Sequence, residues 1–368
     1  MCLPWEIHLK FLYEKPTCNR TNRPWVSTRG FFMISLQWLS ADDVILHKFF
    51  FMPTVLITGG TGMIGTALSR HLLQQGYDVI ILSRNPIETA TAYKTTSQQN
   101  SFRPSGRIYY AKWNTDTMMI DPQALAQADH IVHLAGEGVA KKRWTKKRKE
   151  EIRLSRTKSS DLLFKCLNTH PNKVKSVVSA SAIGWYGPDN GTVFTEEMPA
   201  AEDFLGQTCQ AWEESIDQVE TSGKRLVKLR LGIALSNEGG ALAEFKRPAR
   251  FGMAAVLGSG NQVVSWIHID DLCRAFIHAI ETPEMHGVYN LAAPEPCTNK
   301  ELTLGVAKAM NGSLSIPLKV PTFVLKLMLG EMSIEVLKST TVSSEKIQNT
   351  GFTFIYPTIQ SAVKHLIG

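Results

Sequence analysis

The stretch from Thr54 to Gly65 constrains this chain more than any other. Thr54-Val-Leu-Ile-Thr58 is short, apolar and β-branched, which suits a strand buried on both faces. It runs directly into Gly59-Gly-Thr-Gly-Met-Ile-Gly65. Glycines at this spacing permit a tight turn, a close approach of phosphate groups to backbone N–H groups, and close packing of the next helix on the strand. That helix is expected over residues 66–75, ended by Gly76, with a second apolar strand over Asp78-Val-Ile-Ile-Leu82. Strand, glycine turn, helix and second strand together form the context in which such a turn holds a dinucleotide. Gly59, Thr61, Gly62 and Gly65 belong to the expected site.

The end of the second strand separates NAD from NADP, because a carboxylate there bonds the adenosine ribose 2′-hydroxyl whereas an arginine accommodates a 2′-phosphate. This chain has Ser83-Arg84 and no carboxylate. Arg84 offers a planar fork matched to phosphate, and Ser83 a hydroxyl, so NADP is the expected cofactor. Arg84 has a plainer reading as a surface charge at a strand end.

Further along, strands are expected at residues 108–112, 130–135, 176–180 and 225–230, with helices at 124–128, 146–167 and 204–222. This alternation predicts an α/β fold: a Rossmann-type doubly wound parallel sheet with a smaller C-terminal α/β substrate lobe. The expected division is a nucleotide-binding domain over 52–238, with strands also contributed from 262–292, and a substrate lobe with the C-terminal region over 239–368. Residues 1–51, rich in Trp and Phe and without clear periodicity, read as an extension outside the fold, with Met52 as the functional start. Their apolar run, Phe31 to Leu39, is too short to span a bilayer.

Of the 368 residues, 43% are hydrophobic and 20% charged, which excludes a disordered chain. Six cysteines are scattered with no Cys-x-x-Cys, so neither a zinc site nor a disulfide scaffold is expected, and a cytoplasmic location fits. The formal net charge of +7 equals the contribution of Lys141, Lys142, Arg143, Lys146, Lys147, Arg148 and Lys149. Basicity so local, with Trp144 as the only interleaved aromatic, argues against a nucleic-acid partner. The run is either a solvated helix end or a site for an anionic ligand, with Arg143 and Trp144 closing over a cleft.

Thr58 to Gly65, His133-Leu-Ala-Gly136, and Ser181 followed by Tyr186-Gly187 resemble the extended short-chain dehydrogenase/reductase superfamily. Leu134-Ala-Gly-Glu137, Arg143-Trp-Thr145, Ser179-Ala-Ser-Ala-Ile-Gly184, Trp212-Glu213, Gly258-Ser-Gly260 and Trp266-Ile-His-Ile-Asp-Asp271 are similar to the NAD(P)-dependent epimerase-family proteins of the short-chain 39U type. The tail, with Pro317, Pro321, Leu329-Gly-Glu331 and Gly351-Phe352, resembles that group's C-terminal domain of unknown function. The resemblance covers about residues 52–368. It implies that Met63 and Ile64 join the glycines at the pyrophosphate, that Leu134, Ala135 and Gly136 line the coenzyme, and that Arg156 and Ala234 lie beside it. It also implies a small-molecule substrate, with sugar nucleotides or other anions as candidates, no membrane partner, and a homodimer as the common assembly.

The superfamily's chemistry uses Ser or Thr with a Tyr-x-x-x-Lys pair, the lysine easing proton exchange by the phenol during hydride transfer. Ser181 fits the first role. Aligned through Glu213, Leu205 stands at the tyrosine position and Cys209 at the lysine position, so the usual pair is missing. Glu137 and Tyr186 are the substitute acid/base candidates. Glu137 reads either as a site carboxylate of raised pKa or as a partner for Arg143; Tyr186 reads also as a packed loop aromatic, and Cys209 as a buried small hydrophobe. His268 has a competing structural role beside a helix expected to be capped by Asp270 or Asp271. Two functions remain open: an NADP(H)-dependent oxidoreductase or epimerase-like enzyme, and a non-catalytic NADP(H)-binding sensor.

Overall fold

Apolar runs buried on both faces build the centre of the fold. The computed structural model describes residues 52–86, 106–189, 191–312 and 315–368; the readings of residues 1–51 lie outside these. β1 (Thr54–Thr58) pairs in parallel with β2 (Asp78–Ser83), which pairs with β3 (Ile108–Asn114). A short β4 (Met119–Ile120) turns back antiparallel on β3. The chain then crosses to the other side of β1, adding β5 (His130–His133), β6 (Ser176–Ala182) and β7 (Arg225–Leu231), all parallel. β8 (Ile233–Ser236), β9 (Gly239–Gly240), β10 (Met253–Leu257), β11 (Val263–Val264) and β12 (Trp266–His268) lie outside this sheet, and β13 (Gly287–Leu291) completes it beside β7. The strand order is β13-β7-β6-β5-β1-β2-β3-β4. Direction reverses between β2 and β5 across β1, and such a switch point opens a crevice at the strands' carboxyl ends.

Both faces carry helices. α1 (Met63–Gln74) packs on one face. On the other, α2 (Pro122–Gln127), α3 (Lys146–Thr169) and α4 (Phe204–Asp217) bury Leu125, Leu162, Leu163 and Ile216. The chain continues through α5 (Ala241–Ala249) and α6 (Ile269–Glu281), whose Leu272 and Phe276 share the α1 side of the core. β14 (Cys297–Thr298) pairs with β11, while β12-β8-β9 and parallel β10-β15 (Ile316–Val320) form further small sheets. The remaining helices are α7 (Asn299–Asn311), α8 (Thr322–Leu329), α9 (Ser333–Leu337), α10 (Glu345–Gln348) and α11 (Ile359–Ile367). Among the described residues no helix is long and apolar enough to cross a membrane.

Helix boundaries depart from the sequence reading where capping chemistry decides them. α1 starts inside the glycine turn, because Gly62 is already its extended N-cap at φ −79° and Thr66 N–H bonds the Gly62 carbonyl at 2.8 Å. The 204–222 helix changes after Asp217 into a 3₁₀ turn, Gln218–Ser222, ended by Gly223 at φ +69°. α6 is capped by His268 rather than by an aspartate: its Nδ1 accepts the Asp270 N–H at 3.0 Å. Asp271 is instead fully buried and accepts the N–H groups of Ile355 (2.9 Å) and Tyr356 (2.8 Å), tying the tail to α6.

Candidate coenzyme site

The glycines of the turn have distinct duties. Gly59 sits at φ +71°, where a side chain would be strained, and a Cβ there would lie 2.8 Å from the Leu134 carbonyl oxygen. A Cβ on Gly65 would lie 2.5 Å from the Gly59 oxygen and the Gly60 Cα, so Gly65 sets how closely α1 approaches the turn. Thr61 and Gly62 are exposed. The first N–H groups of α1, from Met63 to Gly65, precede the first intrahelical bond and form a donor set suited to phosphate. The Met63 side chain lies against Gly240 of β9, which brings the start of α1 to the strand pair holding Ala234.

Thr58 joins this turn to the end of β5. Its Oγ1 accepts the N–H groups of Leu134 and Ala135, both at 3.2 Å, so its own proton goes to His133 Nδ1 at 2.7 Å. His133 Nε2–H then faces the Ser159 and Ser160 hydroxyls at 3.3 Å. Burial pulls the His133 pKa down to about 3, with the Arg156 charge acting in the same direction, which keeps the ring neutral. Leu134, Ala135 and Gly136 are thereby held over β1's carboxyl end. Arg156 lies across Gly136, donates to the carbonyls of Glu137 (3.1 Å) and Ile152 (2.8 Å), and stacks 4.9 Å over the Trp212 ring.

Ser83 and Arg84 leave β2 on the other side of the turn. Ser83 Oγ accepts the Asn85 N–H at 3.2 Å, and Arg84 is exposed. The Glu137 reading needs correction. Its Oε2 accepts from Arg148 Nη2 at 3.1 Å, so its partner is Arg148 and not Arg143. Although burial opposes ionisation, that hydrogen bond and the charges of Lys141, Arg148 and Arg84 leave the carboxyl below its ordinary range, contrary to the expected rise. Arg143 instead lies against Gly330, and Lys149 pairs with Glu331, so two members of the basic run meet the tail. Trp144 is packed edge-on to Phe204 at 4.9 Å.

Ser181, next to last in β6, sits in a buried ionic network. Its Oγ donates to Glu213 Oε1 at 2.6 Å; the same carboxylate takes Arg230 Nε (2.8 Å) and Nη2 (3.1 Å), with Lys228 Nζ at 3.6 Å. Arg230 Nη1 donates to Tyr186 Oη at 2.9 Å, and Tyr186 donates to Asn290 Oδ1 at 2.8 Å. Tyr186 is buried and stacked on Phe194, and desolvation raises its pKa despite Arg230. That is the packed-aromatic reading. The Ser181 proton is committed to Glu213, which leaves its oxygen only the role of an acceptor. Leu205 and Cys209 both pack on Gly184, 3.3 and 3.6 Å from where its Cβ would stand, and burial pushes the Cys209 thiol up to about 12. An inert apolar pair fills the place of the phenol and ammonium.

Sequence reasoning missed Glu213, Lys228 and Arg230 as a network. Lys228 and Arg230, two positions apart in the strand Arg225-Leu-Val-Lys-Leu-Arg230, were the available signal: both had to point to one face and find a carboxylate there. His268, Asp270 and His365 form the one trio of metal-ligating side chains among the described residues. His268 Nδ1 is occupied by the Asp270 N–H, so its Nε2 carries the proton and donates to His365 Nδ1 at 3.1 Å. This pair clasps α11 to β12.

Comparison with known proteins agrees with this geometry. Residues 55–214 and 236–292 match the NAD dependent epimerase/dehydratase family, and residues 320–366 match DUF1731, a domain of unknown function. An epimerase family protein of Staphylococcus saprophyticus is 36% identical over 317 residues, covering 86% of this chain and all of the relative. Human epimerase family protein SDR39U1 (isoform 2), solved with NADPH, superposes with a TM-score of 0.71 at 29% identity, covering 85% of this chain and 99% of that one. UDP-glucose 4-epimerase of Thermus thermophilus, solved with NAD, shares the fold with a TM-score of 0.63 at 19% identity, covering 86% of this chain and 99% of that one. The glycine turn, the switch point beside it and these matches together make the chain a member of the NAD dependent epimerase/dehydratase family with a C-terminal DUF1731 segment.

Proposed function

We propose that this protein binds NADP(H) across the switch point between β1 and β5 and serves as an NADP(H)-dependent oxidoreductase or epimerase-like enzyme acting on a small anionic molecule. The observation that carries the reading is Ser83-Arg84 at the end of β2, where a carboxylate would select NAD. The human relative solved with NADPH supports the same choice. Gly59, Gly62 and the first N–H groups of α1 hold the pyrophosphate, Ser83 and Arg84 the 2′-phosphate, and Leu134, Ala135, Gly136, Arg156 and Ala234 border the coenzyme. When bound, the coenzyme supplies a hydride donor or acceptor. Ser181 positions the reacting group by accepting a hydrogen bond from it, while Glu213 and Arg230 fix the serine. Cytoplasmic residence and a homodimer belong to the same proposal.

The missing phenol and ammonium favour a second reading, a non-catalytic NADP(H) sensor. NADPH oxidation with a panel of small carbonyl compounds, run for the wild type and Ser181→Ala, separates the two. Turnover reduced at least tenfold by the substitution supports the enzyme. NADPH binding with no turnover above buffer supports the sensor.

A further inference from the structure

Beside the glycine turn the Glu137 carboxylate stands among the charges of Lys141, Arg148 and Arg84, and that arrangement bears on coenzyme choice. Thr58 pairs with Leu82 of β2 on one side and with His133 of β5 on the other. Arg84 and Glu137 therefore follow β2 and β5, the two strands that flank β1 and whose ends lie about two strand spacings, or roughly 10 Å, apart. The Glu137 backbone is fixed at both ends, its N–H on Ser155 Oγ at 2.9 Å and its carbonyl on Arg156. One carboxylate oxygen is held by Arg148; the other accepts no hydrogen bond among the described residues.

Arg148 is buried, and its charge is already matched by Glu137 and Glu151. Arg84 and Lys141 are different. Both are exposed, neither has a hydrogen bond or ion pair among the described residues, and both charges act on Glu137. The Lys141 stem lies along Gly138, 3.1 to 3.2 Å from where that residue's Cβ would stand, which keeps the ammonium on the Glu137 loop.

We infer that Lys141 is a second cation for the coenzyme 2′-phosphate beside Arg84, and that Glu137 is the carboxylate that limits this preference by opposing the phosphate and accepting the 2′-hydroxyl of NAD(H). The inference rests on the NADP(H) reading. A 2′-phosphate carries more than one negative charge near a fixed carboxylate, so removing the carboxylate charge strengthens NADPH binding. The same change takes from NADH its acceptor. Lys141 acts only on the phosphorylated coenzyme.

The test titrates wild type, Glu137→Gln and Lys141→Ala with NADPH and NADH by nucleotide fluorescence, with thermal unfolding of each variant in parallel. Glu137→Gln is expected to raise the ratio of NADPH to NADH affinity roughly tenfold. Lys141→Ala is expected to lower it roughly threefold or more by weakening NADPH alone. Ratios within twofold of wild type in both variants would overturn the inference, as would Glu137→Gln weakening both nucleotides equally. If Glu137→Gln unfolds early, Lys141→Ala decides, since its side chain bonds to none of the described residues. A wild type that binds neither nucleotide refutes the NADP(H) reading itself.

Discussion

Replacing Glu213 by alanine tests the buried network behind Ser181. Glu213 is 3% exposed and Arg230 2%. The substitution removes both hydrogen bonds that the carboxylate takes from Arg230 and leaves the guanidinium stacked 3.7 Å over Trp185, beside Lys228, with its counter-charge gone. Removing one partner of a buried pair costs about 3–5 kcal/mol, far more than the pair contributes over an apolar replacement, because the remaining charge stays desolvated. For a chain of this size that corresponds to a fall of roughly 4–7 °C in Tm. The double variant Glu213→Leu with Arg230→Met removes both charges and is expected to recover at least half of the loss. Urea and thermal unfolding of wild type, single and double variants measure this. A single variant within about 1 kcal/mol of wild type, or a double variant less stable than the single, would refute the argument that Glu213 is there to neutralise Arg230.

Gly65→Ala should lower stability by about 1–3 kcal/mol through overpacking on the Gly59 carbonyl, whereas Gly62→Ala, whose Cβ would be 3.3 Å from its nearest atom, should cost less; paired denaturation curves compare them. His133 should add an acid-sensitive component to stability. Its folded pKa of about 3 lies below the ordinary 6.5, so its contribution is present above pH 6.5 and is lost as pH falls towards 3, at up to about 1.4 kcal/mol per pH unit. Denaturation midpoints at pH 7.5, 6 and 5 should converge in slope for His133→Gln, and an unchanged slope would contradict the neutral tautomer. Asp271→Asn should loosen the tail, since the carboxylate holds Ile355 and Tyr356; faster amide exchange at these two residues is the expected result.

What was legible in the sequence was governed by local patterns. β1, β2 and the turn between them follow from an apolar run, three glycines and a second apolar run, and Arg84 is read directly from the end of β2. The absence of the usual tyrosine and lysine was visible once Glu213 fixed the register of α4. What stayed hidden depends on which side chain meets which across long separations. Glu137 had several cations within reach in the sequence, and only folding selects Arg148, eleven residues on. The sequence did not show the partners of the two acid/base candidates: Arg148 holds one oxygen of Glu137, and Arg230 and Asn290 meet the Tyr186 hydroxyl. At His268 the structural role was legible but its form was not: the helix start was expected to be capped by Asp270 or Asp271, and His268 Nδ1 caps α6 instead.

Coenzyme binding by residues 52–368 is the claim on which the rest depends, and a fluorescence titration with NADPH and NADH, repeated with Arg84→Ala, tests it most directly. The account predicts that wild type prefers NADPH and that Arg84→Ala weakens NADPH about 10- to 100-fold while leaving NADH within about twofold, as expected for loss of a charged hydrogen bond to phosphate. Equal affinity for the two nucleotides, or an Arg84→Ala variant that binds NADPH as wild type does, would contradict it.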